Sequence, residues 1–139
     1  MIELTEKPIE VEKVLQSVFT KKAGGVVHFV GTVREEDGIE GLDYECHTPM
    51  AEKVIRNIIQ LASKKWPLQK VSVAHRYGWI PLGEAAVIVA VSSAHRKEAF
   101  EACSYLIDRI KEEVPIWKSN RERVSAKSDL FRLAGRSER

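Results

Sequence analysis

The sequence EAAVIVAVSSAHRKEAF, from Glu84 to Phe100, contains the two elements that decide the fold. Its first part is continuously apolar from residue 85 to residue 91, which predicts a strand that is buried on both faces. Its second part begins a helical pattern that runs from about Arg96 to Glu113. That helix is expected to end there, because the residue before a proline is pushed out of the helical region.

Outward from this stretch, apolar periodicity predicts helices at residues 9–19 and 50–66 and strands at residues 27–34, 42–47 and 70–78. The polar turn EEDGIEG suggests that the first two strands form a hairpin, WIPLG is interpreted as a connector, and IWKSNRERVSAKS as a last short hairpin. The resulting order of elements is not the regular alternation of a doubly wound sheet. The predicted class is therefore α+β, with mixed or antiparallel sheets and flanking helices.

The composition indicates an ordinary globular protein. The 139 residues, 44% hydrophobic and 30% charged, predict a single domain over residues 1–139, with a polar tail from about residue 130 that frays. No apolar run reaches the ~20 residues of a membrane helix, and the N-terminus lacks signal-peptide features, so a cytoplasmic protein is expected. A formal charge of +2 is too small to indicate nucleic-acid binding by itself. Cys46 and Cys103 lack C-x-x-C spacing, so reduced thiols and no metal site are expected.

His95 and Arg96 lie where the helix after the buried strand should begin. Cations oppose the helix dipole at this end, which suggests a pocket for a phosphate or a carboxylate. The alternative is that both side chains simply point into water. Arg34, at the end of a predicted strand, is a third candidate for the same pocket.

Lys111 and Lys118 are the candidates for chemistry. On a helical wheel, Lys111 lies about 20° from Phe100, at the edge of the apolar arc, so partial burial of its side chain is predicted. One interpretation is a lysine whose aliphatic stem covers apolar surface while its ammonium group reaches water. The other is a desolvated lysine at a functional site. A proline turn can bring Lys118 back towards it, although two unrelated surface lysines are the alternative. His28 and the pair His75–Arg76 lie inside strand patterns and are interpreted as structural.

Five ordered motifs, between about Gly24 and Lys127, carry a resemblance: GTVR, HTPMAEK, KWPLQKVSVAHRYGWIPLGE, VSSAHRKEAFEA and KEEVPIWK. Together they are similar to the large, catalytic subunit of molybdopterin synthase, the MoaE family. The resemblance implies an α/β hammerhead fold and a homodimer within a heterotetramer. Each large subunit of that family receives the C-terminal Gly-Gly tail of a small ubiquitin-like sulfur-carrier subunit.

The resemblance also implies a reaction. The carrier tail ends as a thiocarboxylate, and its sulfur converts cyclic pyranopterin monophosphate (precursor Z) into molybdopterin by forming the dithiolene. No bound cofactor, nucleic acid or membrane is implied. Lys127 stands where the family pattern has an arginine. By motif, the catalytic residues are Lys111 and Lys118, and the substrate-binding residues are Arg34, His95, Arg96, Lys118 and Lys127.

Two other classes remain open on the residues alone. A non-enzymatic module could bind RNA or an acidic protein through the basic C-terminal third. That class usually interleaves exposed aromatic residues with basic ones, and the basic segment at residues 111–139 has only Trp117 and Phe131. A phosphate-ester hydrolase is disfavoured by the lack of metal-ligand spacing.

Overall fold

The computed structural model describes residues 1–119 and confirms the predicted α+β class. The two long predicted helices are present, and the helix after the buried strand ends at Glu113, where Val114 before the proline is extended. In chain order the elements are β1 (Ile2–Thr5), α1 (Val11–Gln16), β2 (Gly25–Thr32), β3 (Gly41–Cys46), α2 (Thr48–Lys65), β4 (Leu68–Arg76), β5 (Gly78–Pro81), β6 (Ala85–Ser93), α3 (Arg96–Glu113) and β7 (Ile116–Lys118).

The larger sheet has the strand order β1-β4-β6-β2, with β6 antiparallel to both of its neighbours and β1 parallel to β4. Alternate residues of β6 serve opposite faces. Val89 and Val91 belong to the main core with residues of α2 and α3, whereas Ile88 packs in a separate cluster with Val14 of α1. The prediction that this strand is buried on both faces is confirmed.

The smaller sheet has the order β5-β3-β7, all antiparallel. The predicted hairpin of β2 and β3 is therefore wrong, because the two strands belong to different sheets. The chain between them leaves the larger sheet and buries Val33 and Ile39 in a small second core, which a two-strand hairpin could not provide. The segment WIPLG was interpreted as a connector, but its first three residues belong to β5. Gly78, at φ 80°, turns the chain into this strand.

Two further elements differ from the prediction. The short edge strand β1 was not predicted, and it adds to β4 in parallel. Of the predicted C-terminal hairpin only β7 falls within the described part of the chain. The second half of that hairpin and the tail from about residue 130 lie outside the described residues.

Candidate active site

The motif GTVR, from Gly31 to Arg34, leads from the larger sheet into a cleft between the two sheets. A Cβ atom on Gly31 would lie 2.9 Å from Cγ1 of Val87, so only glycine fits against the neighbouring strand. Thr32 follows and lines the cleft. Val33 is buried in the second core, and Arg34 emerges at the mouth. Each position of the motif therefore has its own physical reason.

The cleft consists of an inner cavity of about 200 Å³ and an outer cavity of about 450 Å³. The two adjoin, because both are lined by Gly31, Thr32, Tyr44 and Lys111. The inner cavity is otherwise mostly apolar, with walls that include Val87, Ile107, Ile110, Val114 and Ile116. The outer cavity is open and carries charged side chains.

Among the described residues, three cationic side chains line the outer cavity: Arg34, Lys111 and Lys118. Lys118 reaches it because β7 pairs with β3, which sets Lys118 directly opposite Tyr44, and opposite residues of an antiparallel pair share one face. The hypothesis that the proline turn returns Lys118 towards Lys111 agrees with this placement. Glu36 adds one carboxylate, 3.8 Å from the Arg34 guanidinium. The outer cavity therefore favours an anion.

Lys111 is exposed, so the prediction of its partial burial is wrong. The helical wheel gave the right direction, because Ile107 and Ile110 of the same helix also line the cleft. The last turn of α3 lies at the open mouth of the cleft, however, and within residues 1–119 no side chain covers Lys111 enough to bury it. Lys111 therefore faces the site as a solvated charge.

The inner cavity contains two titratable side chains that the sequence analysis did not assign to a site: His75, which was interpreted as structural, and Tyr44. Their ring centroids lie 6.5 Å apart in an edge-to-face arrangement. Burial lowers the pKa of His75, and its hydrogen bond with the Arg76 carbonyl acts in the opposite direction. Burial, and secondarily the charge of Glu36, raises the pKa of Tyr44. The signal available in the sequence was a histidine near the end of a predicted strand, three residues before Gly78.

Arg76, by contrast, fits the structural interpretation. Its side chain is 8% exposed, and Nη1 lies 2.7 Å from a carboxylate oxygen of Glu84. Glu84 immediately precedes β6, so this ion pair ties the end of β4 to the start of the central strand. It stabilises the wall of the inner cavity and lines neither part of the cleft.

His95 and Arg96 are exposed at the opposite end of α3 from Lys111. At 1.5 Å per residue, about 22 Å of helix separates Arg96 from Lys111. Arg96 instead packs beside Gly25 at the start of β2, and Arg34 follows the other end of that strand, about 23 Å away. Within residues 1–119 of one chain, the predicted pocket of Arg34, His95 and Arg96 is therefore not formed. Lys127 lies outside the described residues.

Neither cysteine resembles a reactive thiol. Cys103 is buried on α3, and burial raises its pKa to about 11. Burial also raises the pKa of the half-buried Cys46. Across residues 1–119, His, Cys, Asp and Glu side chains form no group of three that could hold a metal ion. Over the same residues, no helix is long and apolar enough to cross a membrane.

The fold and the cleft define a class: an α+β protein with a cleft that is lined by cationic side chains and continues into an inner cavity lined by a histidine. The sequence model described as "MoaE protein" matches residues 4–113. The chain belongs to the MoaE family.

Named relatives agree with this assignment. The chain is 47% identical over 120 residues to the molybdopterin synthase catalytic subunit of Thermoplasma volcanium, across 84% of this chain and 88% of that protein. It is 45% identical over 121 residues to the subunit of the same name from Bos taurus, across 85% of this chain. The chain spans 64% of the length of that bovine relative. A crystal structure of molybdopterin synthase from Staphylococcus aureus superimposes with a TM-score of 0.82 at 41% identity, covering 89% of this chain and 91% of that one.

Proposed function

We propose that this chain is the catalytic subunit of a molybdopterin synthase. In this proposal it transfers sulfur from the C-terminal thiocarboxylate of a small sulfur-carrier subunit to precursor Z, and so forms the dithiolene of molybdopterin. The observation that carries the proposal is the cleft in which Arg34, Lys111 and Lys118 surround an open cavity next to a narrow one. The alternative of an anion-binding module without turnover does not account for the inner cavity.

The two cavities suit the two reactants. Precursor Z carries a cyclic phosphate, and the cations of the outer cavity supply charge-assisted hydrogen bonds for it. A Gly-Gly tail has no side chains, so it can enter the narrower inner cavity in extended form. Its terminal carbonyl would then meet the pterin beside Lys111, which lines both spaces.

The chemistry requires two bond exchanges for each sulfur. The thiocarboxylate sulfur attacks a side-chain carbon of the pterin, and a carbon–oxygen bond at that carbon breaks. The oxygen leaves with the electron pair, as a phosphate oxygen of the cyclic ester or as water, and carrier and pterin are then joined through a thioester. Water then adds to the thioester carbonyl, the carbon–sulfur bond to the carrier breaks, and sulfur leaves with the electron pair on the pterin while the carrier departs as a carboxylic acid that ionises. Lys111 and Lys118 are the proposed catalytic residues, because their ammonium groups stabilise the negative charge that develops on the carbonyl oxygen and on sulfur.

His95 and Arg96 enter this proposal from a second copy of the chain. Since about 22 Å of helix separates Arg96 from Lys111, one chain cannot bring both to one substrate. A homodimer solves this problem if α3 of one subunit points its N-terminus at the cleft of the other. In that arrangement Arg34, His95, Arg96, Lys118 and Lys127 bind the substrate, and two carrier subunits complete a cytoplasmic heterotetramer.

The test is reconstitution. The purified chain is mixed with a thiocarboxylated carrier and precursor Z, and dithiolene product is measured. The matched control uses the same carrier with an ordinary carboxylate, which must give no product. Absence of product with a carrier that is active with another synthase would overturn the proposal. Salt-sensitive anion binding without turnover would favour the non-enzymatic alternative.

A further inference from the structure

His75 occupies the wall of the inner cavity together with Tyr44 and Lys111. It lies on β4, paired with Leu4 of β1 on one side and with Val87 of β6 on the other. Neither paired residue is titratable. Among residues 1–119, the other titratable groups that line the cavity are Tyr44 from β3 and Lys111 from α3. The histidine thus lies at the inner end of the cleft, behind the ammonium group at its mouth.

The hydrogen bonding of His75 determines which ring nitrogen is available for chemistry. Nδ1 lies 3.0 Å from the carbonyl oxygen of Arg76. A carbonyl oxygen can only accept, so Nδ1 carries the proton in the neutral ring. Nε2 then holds the lone pair, and the strand that carries the ring fixes its position. This is the arrangement in which a backbone carbonyl selects the tautomer of a histidine base.

We propose that His75 is the general base of the inner cavity, and this inference rests on the proposed function. Its Nε2 accepts a proton from the water that attacks the carrier–pterin thioester. The water oxygen bonds to the carbonyl carbon, the carbon–sulfur bond breaks, and sulfur keeps the electron pair as a thiolate on the pterin. The products are the carrier carboxylic acid, the pterin thiolate and the His75 imidazolium, which returns its proton to the thiolate or to solvent.

The surroundings of His75 suit this role. An ammonium group has no lone pair, so Lys111 in its charged form cannot take the proton, whereas a neutral imidazole can. Burial lowers the pKa of His75 from its ordinary value of 6.5, which keeps the ring neutral at neutral pH. The apolar walls of the cavity limit the number of water molecules that reach the thioester.

The test compares the intact chain with His75→Asn in the reconstituted complex. Asparagine can keep a donor near the Nδ1 position but lacks Nε2. We expect single-turnover product formation to fall by about 100-fold or more, with carrier binding by calorimetry unchanged. We also expect the variant to lose the acid limb of the pH–rate profile, which for the intact chain lies below about pH 6.5 because burial lowers the pKa of His75. The matched control is His28→Asn, an exposed histidine of β2, which should leave rate and profile unchanged.

A rate and a pH profile like those of the intact chain would overturn the inference, and so would a lower rate with the acid limb retained, because a structural histidine would give that result. If His75→Asn does not fold, His75→Ala is measured with added imidazole, and failure of imidazole to restore turnover would also contradict the role. These failures differ from failure of the proposed function, in which the intact chain itself makes no product.

Discussion

The two ends of α3 carry similar charges in different settings. At the C-terminal end, Lys111 faces residues of β2, β3 and β7 across a cleft. At the N-terminal end, His95 and Arg96 are exposed, and the start of β2 packs close to the backbone of Arg96. A helix of this length separates its ends further than a small ligand can bridge. One end is therefore a site within a single chain, and the other needs a second surface to become one.

The largest expected effect is at the C-terminal end. Lys111→Ala should lower sulfur transfer by about 100-fold or more, because the proposed stabilisation of charge on the reacting carbonyl is removed. Lys111→Arg should also lose at least about tenfold, since a planar guanidinium does not replace a compact ammonium group. Product formation and carrier affinity are measured together, and carrier binding and melting temperature should change little because the side chain is exposed.

The matched control is Lys64→Ala, which removes an exposed lysine from the last turn of α2. It should leave turnover unchanged. Full activity of Lys111→Arg would mean that any positive charge at this position is sufficient and that the compact shape of the ammonium group is not required. Full activity of both Lys111 variants would show that Lys111 is not a catalytic residue and would leave Lys118 as the first candidate.

At the N-terminal end, Arg96→Ala should weaken substrate use about tenfold or more while the carrier still binds, because one charge-assisted contact to the phosphate is lost. Sulfate should compete with substrate in the intact chain. Mixing Arg96→Ala with Lys111→Ala should restore about a quarter of the activity, since half of the reassorted dimers would hold one intact site out of two.

The absence of any recovery in the mixture would contradict a site shared between two copies. Loss of carrier binding in Arg96→Ala, with substrate affinity unchanged, would assign this end of the helix to the Gly-Gly tail instead.

The contrast between the ends of α3 also shows what the sequence could predict. Local pattern was enough for α3 and the buried strand β6. A continuous apolar run predicted β6, and apolar spacing together with Pro115 predicted α3. The direction of Lys111 followed from the helical wheel. Its exposure did not, because burial depends on what other elements cover it. The strands β1 and β5 have only four residues each, too few for a periodic signal.

The site was predictable only in part, for a related reason. Arg34, Lys111 and Lys118 came from motifs and from the proline turn. His75 was missed because a strand pattern does not show which side chains line a cavity between two sheets. The pairing of β3 with β5 and β7 joins segments that are distant in the sequence. It is favoured by burial of Val33 and Ile39 in the second core, and no local turn motif predicts it.

A smaller effect is expected for His75, which lines the inner cavity together with Lys111 at the C-terminal end of α3. This effect is on the pH dependence of the free energy of unfolding. Because the folded state lowers the pKa of His75, the unfolded chain binds more protons in the window just below pH 6.5. Stability should therefore fall as the pH drops through that window. His75→Asn should show a flatter fall there in urea unfolding followed by circular dichroism. Identical slopes for both proteins would mean that His75 titrates alike in the folded and unfolded states.

The smallest effect is expected midway between the two ends, at Cys103. This residue faces the core, with Sγ 3.8 Å from the carbonyl oxygen of Val89, and its pKa of about 11 keeps the thiol protonated at neutral pH. If sulfur arrives on the carrier thiocarboxylate, neither this thiol nor that of Cys46 carries it. The double variant Cys46→Ser, Cys103→Ala should lose about 1 kcal/mol of stability and keep turnover per folded molecule within about twofold.

A loss beyond about a hundredfold in a folded double variant would mean that sulfur passes through this subunit, and the single variants would then identify the thiol. Such a result would mean that sulfur transfer does not occur solely in the cleft at the C-terminal end of α3. Unchanged turnover is the result expected if sulfur passes directly from the carrier to the pterin in that cleft.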